Sequence, residues 1–171
     1  WKACVGKPTE GSNPSPSAKR PTDMTHSPQK AIDVFEEVKK LNFPPEHFMV
    51  VGSGIMAVKG IRDAYDLDVV VSQELFDTCR KGGWELKPWT RFGRPGKDWL
   101  KGDIADLMIE CQSGNEDLDL EALKKDGEKV DGVWFLSLTQ LVRFKREYGR
   151  PKDFDDIILI EEYLEKSVEL I

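Results

Sequence analysis

The chain has 171 residues, 39% of them hydrophobic and 33% charged, with a formal net charge of −6. That is enough apolar chain for one domain with its own core, and the acidic balance argues against duplex nucleic-acid binding by the whole surface. Three scattered cysteines, Cys4, Cys79 and Cys111, have no CxxC spacing, which argues against a disulfide framework or thiolate metal site and for a reducing, cytoplasmic setting.

No apolar run approaches the roughly 20 residues that span a bilayer, so no membrane partner is expected. Residues 1–23 are rich in Pro, Ser, Gly and Lys and lack an apolar period, which predicts a disordered tail ahead of a single domain over 24–171. Back-translated, Glu10 to Ala18 resembles the 3′ arm of a transfer-RNA gene. One reading is therefore that the tail is no part of the native protein and that Met24 is the true start. An authentic disordered arm is the other.

In chain order, Ser27-Pro28 reads as a helix start, and Ala31, Val34, Phe35, Val38 and Leu41 recur at helical spacing up to Asn42-Phe43-Pro44. Phe48 to Val51 is a short buried strand. A Gly-Ser turn leads into a short helix, Ser53 to Lys59, stopped by Gly60. Asp66 to Val71 is a second strand, with Val69-Val70-Val71 buried on both faces. Ser72 caps a helix through Leu75, Phe76 and Cys79 that Gly82-Gly83 ends. Trp84 to Arg91 and Asp103 to Cys111 read as antiparallel strands around a turn at Gly93-Arg94-Pro95-Gly96. A weaker helix covers Leu118 to Lys125 and a strand covers Val133 to Leu136. Ser137 caps a helix through Leu138, Leu141, Val142 and Phe144, broken at Gly149-Arg150-Pro151. A final amphipathic helix carries Phe154, Ile157, Ile158, Ile160, Tyr163 and Leu164. The expected fold is α/β (α+β): a short mixed sheet flanked by helices, with a helical C-terminal part.

Alternation along a strand puts Asp66 and Asp68 on one side, with Leu67 turned away. Two carboxylates aimed at one point repel by about 4 kcal/mol at close range. A divalent cation removes that cost, and a small oxygen-only donor set beside a phosphate-sized glycine turn suits Mg²⁺ better than zinc. Asp106 is an acid embedded among Ile104, Ala105, Leu107, Met108 and Ile109, where a carboxylate is costly unless paired or metal-bound. It is the candidate third ligand, against a strand-edge acid facing water. Gly52-Ser53-Gly54-Ile55-Met56-Ala57 also fits a dinucleotide fingerprint. The acids precede their apolar run, however, and the helix after the glycines is too short for that motif.

Gly52-Ser53, Arg62, Asp66-Leu67-Asp68 and Asp106, followed by Lys145 and Arg150-Pro151-Lys152-Asp153-Phe154-Asp155-Asp156, resemble the polymerase-beta-type nucleotidyltransferase superfamily. The likeness runs over roughly Phe48 to Leu164 and is nearest to its minimal members and abortive-infection toxins. It implies a nucleotidyltransferase fold and transfer of a nucleotide from an NTP to an acceptor. Asp66, Asp68 and Asp106 would be catalytic and hold Mg²⁺, with Asp106 on a second metal or activating the attacking hydroxyl. Gly52, Ser53, Arg62 and Lys145 would bind the nucleotide. An antitoxin-like partner protein is implied as well. The chain departs from the pattern at Ala64, where a threonine or serine commonly stands.

The nearest alternatives are structural. Arg62 would pair with Asp63 or Asp66, Lys145 with Glu147 or Asp153, and Arg150, Lys152 and Asp153 would form an ion-pair cluster. Basic residues from Arg80 to Lys101, interleaved with Trp84, Trp89, Phe92 and Trp99, suit an RNA backbone with stacked bases, or else a solvated hairpin whose tryptophans pack on the core. The acceptor would be tRNA or a protein hydroxyl. The competing functional class is a catalytically inactive module that binds nucleotide or a partner. His26 and His47 suggest no metal pair.

Overall fold

Asp33 starts the first helix: its carboxylate accepts from the N–H groups of Phe35 and Glu36, and Asn42 closes the helix in the left-handed conformation. A computed structural model describes residues 30–88, 90–91, 94–95, 98–113 and 116–168. The tail over 1–23 and the expected start at Ser27-Pro28 lie outside them. Helix α1 is Val34–Leu41, so the apolar period extends one turn beyond the helix itself. Ile32 is extended instead, and its N–H donates to the Ala64 carbonyl at 2.9 Å.

The elements that follow are β1 (Phe48–Val51), α2 (Gly54–Val58), β2 (Asp68–Val71), α3 (Gln73–Lys81), β3 (Glu85–Lys87), β4 (Thr90–Arg91), β5 (Arg94–Pro95), β6 (Trp99–Lys101) and β7 (Asp106–Met108). Then come β8 (Glu110–Ser113), β9 (Glu116–Asp119), α4 (Leu120–Lys124), β10 (Glu128–Val130), β11 (Val133–Phe135), α5 (Leu138–Tyr148) and α6 (Pro151–Val168). Seven strands form one mixed sheet in the order β10-β11-β1-β2-β7-β6-β3, flanked by helices. Strand β1 is parallel to β11 and antiparallel to β2, while β2 is parallel to β7.

Strand β2 sits at the centre, and Val69, Val70 and Val71 are buried on both faces, as their unbroken apolar run predicts. Each such side chain contributes about 1.5–3 kcal/mol on leaving water. The strand starts at Asp68, two residues later than expected, because Asp66 lies in a bend. Leu67 turns into the core between the two acids.

The expected hairpin needs a larger correction. Strand β3 pairs with β6, not with a strand over Asp103 to Cys111; Arg94 and Pro95 of the expected turn form β5, and Gly93 and Gly96 lie outside the described residues. The Gly102 N–H donates to the Ala105 carbonyl at 3.0 Å, and this tight turn separates β6 from β7. Gly102 also lies against the Trp84 ring, where a β-carbon would collide. Sequence patterning also missed β9 and β10, which are short and carry too few apolar residues to announce themselves.

Helix α5 opens with a full capping box between Ser137 and Gln140 and ends at Gly149, whose φ of 60° favours glycine. Pro151 then starts α6 at the position where its missing N–H costs nothing. The two helices pack on each other, bringing Lys145 against the first turns of α6.

Candidate active site

The end of β2 and the end of β7 meet at one cavity. Asp68 and Asp106 are register partners on these parallel strands, fixed by the Asp106 N–H donating to the Leu67 carbonyl at 2.9 Å. Asp66, Asp68 and Asp106 all line a cavity of about 660 Å³, together with Gly52 and Ser53 from the turn after β1. That volume lies within the range of small-molecule sites.

Gly52 is held at φ +66°, and a β-carbon there would stand 2.8 Å from Oδ2 of Asp68. The glycine therefore permits both the turn and the close approach of the acid. Ser53 makes no side-chain capping bond to α2, so its hydroxyl is not committed to the helix end. Burial in the cavity wall, then the negative charges of Asp66 and Asp106, push the Asp68 carboxyl up to about 6. The repulsion between Asp66 and Asp68 argued above from the strand pattern thus acts on Asp68 in the folded chain, and Asp106 adds to it.

Asp106 has a partner of its own. Lys101, its register partner across β6, places Nζ 2.7 Å from Oδ1. Among the described residues, no three His, Cys, Asp or Glu side chains already enclose a point fit for a metal ion. The three acids line the same cavity without forming a closed ligand cage.

Arg62 and Lys145 also line the cavity, but both are bound to Asp156. Arg62 grips it with Nε at 2.5 Å and Nη2 at 2.8 Å, and Lys145 Nζ lies 2.5 Å from its Oδ2. Lys145 reaches Asp153 as well, at 3.4 Å, and Arg150 binds Asp153 through Nε and Nη2 at 2.6 and 2.8 Å. Arg62 therefore pairs with neither Asp63 nor Asp66 through its side-chain contacts to carboxylates; it crosses to α6. Lys145 is buried, not exposed, and takes Asp153 as anticipated together with Asp156. The spacing of Asp153 and Asp156 puts both on one face of α6, where they meet α5 and the segment before β2.

Burial opposes ionisation of Asp156, but hydrogen bonds from Arg62 and Lys145 outweigh it and hold the acid below its ordinary range. Asp153 follows the same rule, with Arg150 as its main partner. Buried charges of this kind persist only when paired.

Arg150, just before α6, and Lys152, in its first turn, line the cavity and bring further positive charge to Asp68. Sequence reading favours an ion-pair cluster for them, one that could border the cleft. Lys101 was missed as a partner of Asp106, since nothing short of the β6–β7 register reveals it. Ala64, where the resemblance would want a hydroxyl, is fully buried beside Ile32, in the core. Of the basic and aromatic stretch, Trp84 packs near Phe43 at 6.2 Å and Trp99 lines the cavity. Trp89 and Phe92 lie outside the described residues. The His47 Nδ1 is 2.9 Å from the Ser72 hydroxyl, a role at the cap of α3. Cys79 and Cys111 are buried thiols. Among the described residues no helix is long and apolar enough to cross a membrane. No protein-family model, curated protein or solved structure matches this chain.

Proposed function

We propose that this chain is a Mg²⁺-dependent nucleotidyltransferase of the polymerase-beta type, moving a nucleotide from an NTP to a hydroxyl on RNA or protein. The observation that carries this reading is the line of Asp66, Asp68 and Asp106 along one cavity wall, with Gly52 pressed against Asp68. An acid raised to about 6 by burial, and further by two neighbouring acids, carries a cost that a bound cation would relieve. The donor set, all carboxylate oxygen, fits Mg²⁺, which keeps several waters and needs few protein ligands. Bound there, the ion would neutralise triphosphate charge and sharpen the electrophilic phosphorus.

The chain's own groups supply the rest. Backbone N–H groups at Gly52 and Ser53 hold phosphate oxygens. Lys152 and Arg150 offset the charge of the departing pyrophosphate, while Arg62 and Lys145 position the wall through Asp156. Asp106 takes the proton from the attacking hydroxyl, and the bond to pyrophosphate breaks as the new phosphoester forms. Positioning and charge stabilisation do most of the work in such transfers.

The test is incubation of the full chain with labelled NTPs, Mg²⁺ and either total tRNA or cell lysate. Label transfer that disappears in Asp68→Asn supports the enzyme. Transfer that survives the substitution would sink it.

One observation favours a second reading, a nucleotide- or partner-binding module without turnover. Lys101 already neutralises Asp106, and the two cations that the resemblance assigns to phosphate are engaged by Asp156. Stoichiometric nucleotide binding without labelled product is the result that selects it.

A further inference from the structure

An apolar side chain gives binding energy to a ligand only through surface that it still has to lose. In the cavity wall Leu136, Leu141 and Phe144 have spent theirs on the core and stand 2%, 3% and 3% exposed. Of the large apolar side chains left exposed among the described residues, Tyr65 and Leu159 line this cavity, at 44% and 37%. Both are presented from held backbone. Tyr65 follows Ala64, which is fully buried and whose carbonyl accepts the Ile32 N–H, and Leu67 is buried just beyond it. Leu159 stands three residues after Asp156 on α6, on the same side of the helix. Arg62, three residues before Tyr65, grips Asp156 through two nitrogens and so ties the two segments together at the cavity.

Resting on the nucleotidyltransferase reading, we propose that Tyr65 and Leu159 form the surface that takes the base of the incoming NTP, Tyr65 by stacking and Leu159 by apolar cover. Tyr65 adjoins Asp66, and consecutive Cα atoms stand about 3.8 Å apart, so its ring lies within a ribose's reach of the acid that would meet the metal-bound phosphates. A nucleotide anchored at Gly52, Ser53 and Asp66 carries its base toward this open part of the wall. Stacking needs only a flat π-face, which every nucleobase has, so the surface accepts bases without reading their edges. Purines, with the larger ring, cover more of it than pyrimidines. Neither adenine nor guanine is singled out.

The test is equilibrium binding to the full chain with Mg²⁺, using ATP, GTP, CTP and ribose 5-triphosphate, which keeps the sugar and phosphates and lacks the base. ATP should bind about tenfold more tightly than ribose 5-triphosphate, with GTP within about threefold of ATP and CTP weaker than both. Both side chains are exposed, so substituting them leaves the core intact. Tyr65→Ser should lose about tenfold for ATP and Leu159→Ser about threefold, with ribose 5-triphosphate affinity unchanged in each. Tyr65→Phe, which keeps the ring, should bind ATP as the wild type does. Wild-type ATP affinity in Tyr65→Ser, or a loss in Tyr65→Phe as large as in Tyr65→Ser, overturns the stacking role while leaving the nucleotide site intact. So does a preference beyond about tenfold between ATP and GTP, which would require edge readout. Absence of binding for every ligand, ribose 5-triphosphate included, overturns the nucleotide reading and this inference with it.

Discussion

Gly52 and Asp68 are in such close register that a single β-carbon on the glycine would stand 2.8 Å from the carboxylate oxygen. The turn after β1 and the acid of β2 therefore form one unit, and neither can change without the other.

Gly52→Ala should consequently fail twice. The residue sits at φ +66°, where a side chain is strained by about 1–2 kcal/mol, and the new methyl forces Asp68 away from its place in the wall. A thermal melt should show the lost stability. Nucleotide titration should show weakened binding beyond what unfolding accounts for. A variant with wild-type melting and binding would refute the coupling.

Asp68→Asn should abolish transfer yet raise stability. The carboxyl is held up at about 6 against an ordinary 3.8, so above pH 6 its ionisation costs the fold on the order of 3 kcal/mol. In the unfolded chain the acid loses its proton near 3.8, while the folded chain keeps it until about 6. Wild-type stability therefore falls as pH rises through that window, and the advantage of the amide grows across it and then levels off. Urea unfolding in the absence of divalent cations, at several pH values from 4 to 8, checks both the sign and the window.

The parts of this arrangement legible in the sequence are those written in local pattern. The strands Phe48–Val51 and Asp68–Val71, the glycine turn, and the caps at Ser72 and Ser137 all follow from spacing and residue type. Asp66, Asp68 and Asp106 were identifiable because acids beside unbroken apolar runs demand an explanation. What stayed hidden depends on register between distant segments. Lys101 meets Asp106 only because Gly102 turns the chain back on itself. Asp156 was one acid among several on α6 until packing set it between Arg62 and Lys145.

Removing Asp156 should cost more than any exposed ion pair in the chain. Asp156→Ala leaves Lys145 buried with only Asp153 at 3.4 Å and frees Arg62 from α6. Breaking one side of a buried pair costs about 3–5 kcal/mol, and the remaining Asp153 contact argues for the lower end. Because Asp156 and Asp153 are both held below their ordinary range, the stability they give is complete above about pH 4 and is lost as pH falls through their folded values. The variant should thus unfold earlier in urea at pH 7 and show a shallower acid limb. A loss below about 1 kcal/mol at pH 7, typical of a surface pair, would show that the network is not structural.

Lys101→Met tests whether a cation can take the place beside Asp106. In the folded chain Lys101 neutralises Asp106 across 2.7 Å, and its charge also helps to hold the Asp68 carboxyl down. The lysine side chain is about half exposed, so the pair contributes no more than about 1 kcal/mol to stability. The same contact competes with any cation approaching Asp106. Removing it leaves the three acids with less neutralising charge, and Mg²⁺ then gains what the lysine supplied. Calorimetric titration without nucleotide should show Mg²⁺ binding tightened about two- to fivefold, together with a lower melting temperature in the metal-free protein. An unchanged Mg²⁺ affinity would show that no ion takes the place beside Asp106. The direction of one titration thus decides whether Lys101 competes with a cation for Asp106.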